Sequence, residues 1–202
     1  MGMMTPSDRI AAAIQELSSG GPILCRVSYR TMWDMDDPGY VLKAYFEAYV
    51  LIDVEDSQGI DEVVVAEGKV YQMMHNAVDE HYLWTMSDNE SSHFADIASF
   101  LNEMQDDTDT ELYVYQRSFY LSNFDLKPEY QKQGFGRRIA DAVLRSAGAL
   151  DSPVFIFPAQ KQVIPHERLT KWWLSLHPDM QYNEKYNCAW AQEYTIQKEL
   201  IK

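Results

Sequence analysis

Hydrophobic side chains recur at helical spacing in three parts of the chain. Residues 6–17 carry apolar side chains on one face, and Thr5 and Asp8 stand where a helix cap would be, so the pattern predicts a first helix there. The same spacing predicts a second helix over residues 92–105 and a third helix from Gly136 onward. Helices therefore occur at the start, the middle and the second half of the chain.

Shorter apolar runs that end at turn residues predict strands. These runs cover residues 22–30, 62–73, 81–86, 111–116 and 154–157. A further apolar run, from Phe119 to Leu126, predicts a buried strand that Pro128 ends. Residues 40–54 fit either a helix or a strand, and the pattern leaves that choice open.

The chain of 202 residues is long enough to bury one core without disulfides, so a single domain over residues 1–202 is predicted. Residues 1–116 hold 22 Asp and Glu against five Lys and Arg, whereas residues 117–202 hold nine against 12. An acidic surface disfavours binding to a nucleic-acid backbone. It either keeps the protein soluble or recruits a cationic acceptor, such as a small amine or a basic protein.

Cysteines and histidines give no metal or disulfide pattern. Cys25 and Cys188 lie far apart without metal-ligand spacing, and His75, His81 and His93 do not form a recognisable metal-ligand motif. No apolar run approaches the roughly 18 residues that a membrane span requires, and the N-terminus lacks a signal-peptide pattern. A cytoplasmic protein without a metal ion or membrane contact is therefore predicted.

The turn between the buried strand and the third helix suits a diphosphate. The first turn of a helix carries backbone N–H groups without intrahelical partners, and the peptide dipoles add positive charge there. Gly134 and Gly136 have no side chain to block a phosphate oxygen. Lys132, Arg137 and Arg138 add full positive charges around the same turn. The pattern therefore predicts an anion site.

This loop reads Gln-Lys-Gln-Gly-Phe-Gly over residues 131–136 and resembles the signature of the Gcn5-related N-acetyltransferases: Gln or Arg, two residues, Gly, one residue, then Gly or Ala. Residues 126–130, Leu-Lys-Pro-Glu-Tyr, are similar to the family's lead-in of valine, any residue, proline, glutamate and tyrosine. The resemblance implies that loop amides bind the pyrophosphate of the co-substrate acetyl-coenzyme A, and that the strand before them pairs with its pantetheine arm. The coenzyme-binding residues expected on these grounds are Phe124, Leu126, Gln131, Lys132, Gln133, Gly134, Phe135, Gly136, Arg137 and Arg138.

The resemblance also implies a fold of the α/β class, in which helices flank a mostly antiparallel central sheet with a splayed parallel pair of strands. Residues 154–157 should run parallel to the signature strand after a right-handed crossover, and residues 194–200 should form a closing strand. The helix over residues 92–105 departs from the family, and we interpret it as an insertion in a divergent half, residues 1–116. Residues 117–202 are then the coenzyme-binding half. The oligomeric state stays open between a monomer and a homodimer, although dimers are common in the resembled family.

Acetyl transfer to an amine needs a base for the amine proton and an acid for the departing thiolate. The position of a frequent family glutamate corresponds to Tyr120, and that of the family's tyrosine acid corresponds to Trp173, whose indole cannot act as that acid. His166 is the predicted base, because imidazole titrates near neutrality, and a plain surface histidine is the alternative interpretation. Tyr186 is the predicted acid, with Tyr182 or water as alternatives.

The sequence thus predicts an N-acetyltransferase in which an amine attacks the thioester of acetyl-coenzyme A directly. The acceptor, the preferred acyl chain, the acid and the base stay open. The alternative is a non-catalytic or weakly catalytic acidic module on the same scaffold, which binds a protein as an inhibitor or as a nucleic-acid mimic. The missing catalytic carboxylate and tyrosine favour that alternative.

Overall fold

The structure, a computed structural model, describes residues 4–31, 41–54, 59–74, 92–108, 117–157 and 166–195. Within these ranges the α-helices are α1 (Pro6–Ser18), α2 (Ser92–Thr108), α3 (Gly136–Ser146) and α4 (His166–Leu174). The strands are β1 (Leu24–Thr31), β2 (Val41–Val54), β3 (Gly59–Met74), β4 (Arg117–Leu126), β5 (Val154–Ile156), β6 (Gln181–Asn183) and β7 (Cys188–Ala191).

The strands form one mixed, 7-stranded sheet in the order β1-β2-β3-β4-β5-β7-β6. Strands β1 to β4 pair antiparallel, and β5 joins β4 in parallel after the chain crosses over through α3. Strands β6 and β7 form a hairpin whose second strand pairs antiparallel with β5. The protein therefore has the predicted α/β class with a mixed sheet.

Most predicted elements within the described residues are present. Helices α1 and α2 and strand β5 lie where the pattern places them, and the described part of the ambiguous stretch, Val41–Val54, is strand β2. In β2, Ala44, Phe46 and Ala48 are buried in alternation with more exposed residues, which is the period of a strand with one covered face. The strands predicted at residues 81–86 and 111–116 lie outside the described residues.

The prediction for the closing strand is wrong where the structure describes it. Tyr194 makes an isolated parallel bridge with Leu150 instead of starting a strand, and residues 196–200 lie outside the described part. Strand β7 occupies the place beside β5, because its buried Ala189 and Ala191 pair with Ile156 and Val154. The apolar pattern of this short strand was too brief to predict it.

The sheet separates two hydrophobic cores. Helices α1, α3 and α4 pack on one face, and the buried residues there, including Phe119 and Leu121, form what we call the α3-side core. Helix α2 covers part of the other face, over the α2-side core, which contains many aromatic rings, Tyr120 among them. Because successive side chains of a strand point to opposite faces, β4 contributes to both cores in turn.

A buried carboxylate ties α3 to the segment after β7. Asp141 is 1% exposed and accepts hydrogen bonds from the Tyr194 hydroxyl and from Arg145 Nε, both at 2.8 Å. Burial, and then the nearby Asp141 charge, raise the pKa of Tyr194, so its phenol keeps the proton that it donates. The carboxylate is stable in this position because it is paired and hydrogen-bonded.

Asp141→Ala should lower the free energy of unfolding by about 2 kcal/mol, because the Tyr194 hydroxyl would stay buried without its acceptor. Arg145 is partly exposed, so water can solvate its guanidinium group and its loss of a partner should add little. Urea denaturation measures the effect. The double variant Asp141→Ala/Tyr194→Phe is the control and should be more stable than Asp141→Ala; equal stabilities would mean that the hydroxyl is not the cause.

His177 is a second buried polar group near this cluster. Its ring is 1% exposed, its Nδ1 accepts the backbone N–H of Asp179 at 3.1 Å, and its Nε2 lies 2.9 Å from the Thr195 hydroxyl. Only a neutral imidazole can accept the Asp179 N–H. Burial lowers the pKa of His177, although the charges of Asp179 and Asp141 oppose this.

The depressed pKa predicts that the protein loses stability in mild acid. The unfolded chain binds a proton at His177 with a pKa near 6.5, whereas the folded chain resists it, so this contribution is complete above about pH 6.5 and is lost as pH falls toward the folded-state pKa. The limiting slope is about 1.4 kcal/mol per pH unit. Unfolding free energies measured from pH 7.5 to 5 should therefore decline less for His177→Asn than for the wild type, and parallel curves would contradict the prediction.

Candidate functional site

Strands β4 and β5 run side by side over a short distance and then part. Their last pair joins Tyr120 to Phe155. Strand β5 ends at Ile156, whereas β4 continues to Leu126 along its other neighbour, β3. We call the place where the pairing between the two parallel strands ends the fork.

A β-bulge in β4 lies directly beyond the fork. Leu121 pairs with Val70 and Asn123 pairs with Lys69, so Ser122 is an extra residue in β4. A bulge bends its strand and increases the local twist. This additional residue bends β4 directly beyond its last pair with β5.

Beyond the fork, some main-chain N–H and C=O groups of β4 do not point toward β3. Lys127 N–H donates to the Val65 carbonyl on β3 at 3.0 Å. Because antiparallel pairing alternates along a strand, the N–H and C=O groups of Phe124 and Leu126 point away from β3, toward the space between β4 and the end of β5. The Leu126 carbonyl accepts Gln131 Nε2 at 2.7 Å. The main-chain groups of Phe124 and the N–H of Leu126 therefore face away from β3.

The loop after β4 forms the predicted turn into α3. A 3-10 turn over Pro128–Tyr130 is followed by left-handed backbone at Lys132, with φ of 62°, and at Gly134, with φ of 85°. A Cβ at Gly134 would meet no atom within 4 Å, so this glycine provides its unusual φ beside open space. A Cβ at Gly136 would lie 2.8 Å from the Trp172 ring, so that glycine allows α4 to pack on α3 instead of forming an open cradle.

Several donors at the start of α3 have no partner in the helix. The first intrahelical hydrogen bond joins Ile139 N–H to the Phe135 carbonyl at 3.1 Å, so the preceding amides of residues 136–138 are free for a ligand or water. Arg137 Nε is buried and has no hydrogen-bond acceptor within the described structure. A buried donor without a partner costs about 1–3 kcal/mol. Lys132 is exposed beside this turn, whereas the Phe135 side chain is buried in the α3-side core.

Two predicted coenzyme-binding side chains hold the protein together instead of facing a ligand. Gln133 Nε2 donates to the Glu129 carbonyl at 2.6 Å and closes the loop. The Arg138 guanidinium donates to the carbonyls of Leu17 at 2.6 Å and Gly21 at 2.9 Å, at the end of α1. Helix C-termini have unpaired carbonyls and attract cations, which explains the placement of Arg138.

Helix α4 covers the α3 side of the fork with two indole rings. Trp172 and Trp173 lie 6.1 Å and 5.9 Å from the Phe124 ring, measured between centroids. Trp173 is 6% exposed. The described part of α4 therefore presents an indole where the resemblance would place a tyrosine.

Tyr120 lies at the fork on the α2 side, but its side chain is buried. Its hydroxyl lies 2.7 Å from Nδ1 of His93, which α2 contributes. Burial raises the pKa of Tyr120, and a hydrogen bond with Ser122 opposes the rise. A buried phenol that keeps its proton is a poor base, so the geometry does not support direct proton abstraction by Tyr120. The sequence pattern placed His93 only among improbable metal ligands, and no spacing could have revealed its contact with β4.

The two other predicted catalytic residues are not brought to the loop by any contact within the described structure. Tyr186 lies against the α2-side core, donates to Glu103 Oε1 at 2.7 Å and has Lys185 on the same carboxylate. His166 is the first residue of α4, and its side chain lies outside the described structure.

Comparisons with family models, curated proteins and solved structures give no match for this chain. The resemblance to the acetyltransferases therefore stays a prediction. Among the described helices, none combines the length and apolar character that crossing a bilayer requires.

Proposed function

We propose that the protein is an N-acetyltransferase that transfers an acetyl group from acetyl-coenzyme A to an amine. The observation that carries the proposal is the juxtaposition of the fork with the start of α3. Main-chain groups of Phe124 and Leu126 that face away from β3 directly precede a loop and a helix start whose amides at residues 136–138 have no partner within the helix. An extended thioester with a diphosphate at one end has polar groups that match this order.

In this proposal the diphosphate of the co-substrate binds at the loop, its pantetheine arm pairs with β4, and its thioester reaches the fork. The amine attacks the thioester carbonyl directly. Holding the two reactants in line can lower the barrier by about 7 kcal/mol. A backbone N–H of β4 facing the gap would stabilise the negative charge that develops on the carbonyl oxygen.

The proposed acceptor is a primary amine that is cationic before it reacts. The acidic first half of the chain, with 22 carboxylates over residues 1–116, attracts such a molecule over long range. A small amine and a lysine on a basic protein both meet this description.

Calorimetric titration with acetyl-coenzyme A, followed by a thiol-release assay on polyamines, amino acids and basic proteins, tests the proposal. Saturable binding and turnover with at least one amine are the expected results. Absence of binding would overturn the assignment of the loop.

One observation favours a second candidate, the acidic binding module. Trp173 fills the position of the family's acid, and an indole cannot protonate a thiolate. Tight coenzyme binding without turnover on the whole panel would support this second function. Capture of one specific basic protein, competed by salt, would be its positive signature.

A further inference from the structure

The inserted helix α2 places a histidine over the fork. His93 is exposed, its Nδ1 lies 2.7 Å from the Tyr120 hydroxyl, and its ring stacks on Phe157 with centroids 4.3 Å apart and planes 9° from parallel. Tyr120 is in the last pair before the strands part, and Phe157 directly follows the end of β5. The imidazole therefore contacts both strands at the fork while one side of it faces solvent.

The histidine and the amide loop lie on opposite faces of the sheet. The loop leads into α3, which covers the α3-side core, whereas His93 belongs to α2, over the α2-side core. A chain that starts at the loop and passes between β4 and β5 would end on the face where His93 is exposed. An acceptor arriving from solvent on that face would meet the thioester beside the imidazole.

We propose that His93 is the general base that removes the proton from the acceptor amine, and that Tyr120 is the residue that positions its ring. This inference rests on the proposed acetyltransferase function and adds to it the residue that carries the proton. It assigns the role predicted for His166 to a different histidine, on an element that the family resemblance does not include.

The role of His93 as a base requires one of its two tautomers. In that tautomer His93 Nδ1–H donates to the Tyr120 oxygen, 2.7 Å away, and the lone pair on Nε2 accepts the proton of the amine. When Nε2 takes up a proton, the Nδ1–H bond to Tyr120 remains, so the ring does not have to move during the step.

The step balances as follows. The acceptor ammonium gives one proton to His93 Nε2 and becomes a neutral amine, whose lone pair forms the new C–N bond at the thioester carbonyl carbon. The C–S bond breaks, and sulfur leaves with the bonding pair as a thiolate. The second proton on nitrogen passes through water to the thiolate, and the imidazolium returns its proton to solvent. The products are an acetylated amine, a free thiol and one released proton.

Other ionisable groups near the ring come from four elements. Tyr120 on β4 contacts Nδ1, Tyr71 on β3 stacks on Tyr120 with centroids 5.8 Å apart, and Asp96 follows His93 by three residues on α2. The Lys43 ammonium on β2 lies 5.7 Å from the Tyr71 ring centroid. A pH profile of this site therefore has to be read as the difference between wild type and a His93 variant.

His93→Ala in the full chain is the decisive variant. At pH 7 its kcat/KM for the amine should be lower by roughly 100-fold or more, as expected for loss of a general base, with unchanged calorimetric affinity for acetyl-coenzyme A. The loss should shrink as pH rises and the amine loses its proton in solution. Added imidazole should restore part of the rate, because the vacated site is open to solvent. Glu103→Gln on the same helix is the matched control and should retain wild-type kcat/KM.

Tyr120→Phe separates positioning from packing, because it keeps the buried ring and removes only the oxygen. Its kcat should fall about 10-fold with the coenzyme KM unchanged, and added imidazole should not restore it.

Two results would overturn the role of His93 while leaving the acetyltransferase assignment intact. The first is a His93→Ala variant that turns over as fast as the wild type at every pH, and the second is a loss of activity in that variant that added imidazole does not relieve. A wild type that neither binds the coenzyme nor acetylates amines would instead overturn the proposed function itself.

Discussion

Gly68→Ala should lower the free energy of unfolding by about 3 kcal/mol and should weaken coenzyme binding as well. A Cβ at this position in β3 would lie 2.0 Å from the Asn123 carbonyl oxygen and 2.8 Å from Cζ of Phe46. The first of these atoms belongs to the backbone next to the bulge, so the strand itself must move. Overpacking by one methyl group usually costs about 1–3 kcal/mol, and a backbone obstacle places this site at the upper end.

The coupling to binding has the same physical cause. Gly68 pairs with Phe124, whose main-chain groups face the gap between β4 and β5. Displacing β4 here would change the direction of those groups. Circular dichroism during urea denaturation measures the stability, and calorimetry measures the affinity for acetyl-coenzyme A.

Gly148→Ala is the matched control for Gly68→Ala. Gly148 has φ of 84°, but the nearest atom to its Cβ would be Arg117 Nη1 at 3.9 Å, so only backbone strain of about 1 kcal/mol is expected. Its coenzyme affinity should equal that of the wild type. If Gly68→Ala proved as stable as Gly148→Ala, β4 would be more adaptable than the contact at Gly68 implies.

Gly134→Glu should reduce the affinity for acetyl-coenzyme A by about 100-fold without unfolding the protein. Gly134 lies in open space, so a longer side chain meets no obstacle, and its cost to folding is the strain of φ at 85°. The carboxylate would stand where the proposal puts a diphosphate. Two like charges about 4 Å apart repel by about 1 kcal/mol in water and about 4 kcal/mol near a protein surface, and the expected loss lies between these limits.

Gly134→Gln isolates the effect of charge, because it has nearly the same shape and the same backbone strain as Gly134→Glu. It should bind the coenzyme more tightly than Gly134→Glu. The difference in affinity between the two variants should become smaller in high salt, since exposed charges are screened. If Gly134→Glu, Gly134→Gln and the wild type bound acetyl-coenzyme A with equal affinity, the proposal that the diphosphate binds at this loop would be contradicted.

Local sequence signals predicted the elements whose stability depends on near neighbours in the chain. The capping box of α1 is an example, because Thr5 and Asp8 bond to each other across a single turn, at 3.2 Å in each direction between backbone N and side-chain O. The start of α3 is another, because glycine at 134 supplies the left-handed φ that the turn requires. Residues three or four apart are sufficient to specify such features.

Other features were decided by contacts between distant segments. The ambiguous stretch is a strand over Val41–Val54 because β3 pairs along all of it and β1 pairs with residues 42–49 on its other edge. The Arg138 side chain does not face the predicted anion site, because its guanidinium donates to two carbonyls near the end of α1. These are the carbonyls of Leu17 and Gly21, which lie 121 and 117 residues earlier in the chain. Periodicity cannot report either outcome, since it records the faces of an element and not its neighbours.

The sequence by itself determined the class of the fold, the turn into α3 and the acidic character of the first half, because each follows from spacing or composition. Only the tertiary structure decided that the strands part beyond Tyr120, that Gly136 packs against α4, and that His93 lies beside the fork. The physical reason is that a site at a sheet is assembled from elements far apart in the chain, and side chains from α2, β4 and β5 meet only after the sheet has formed.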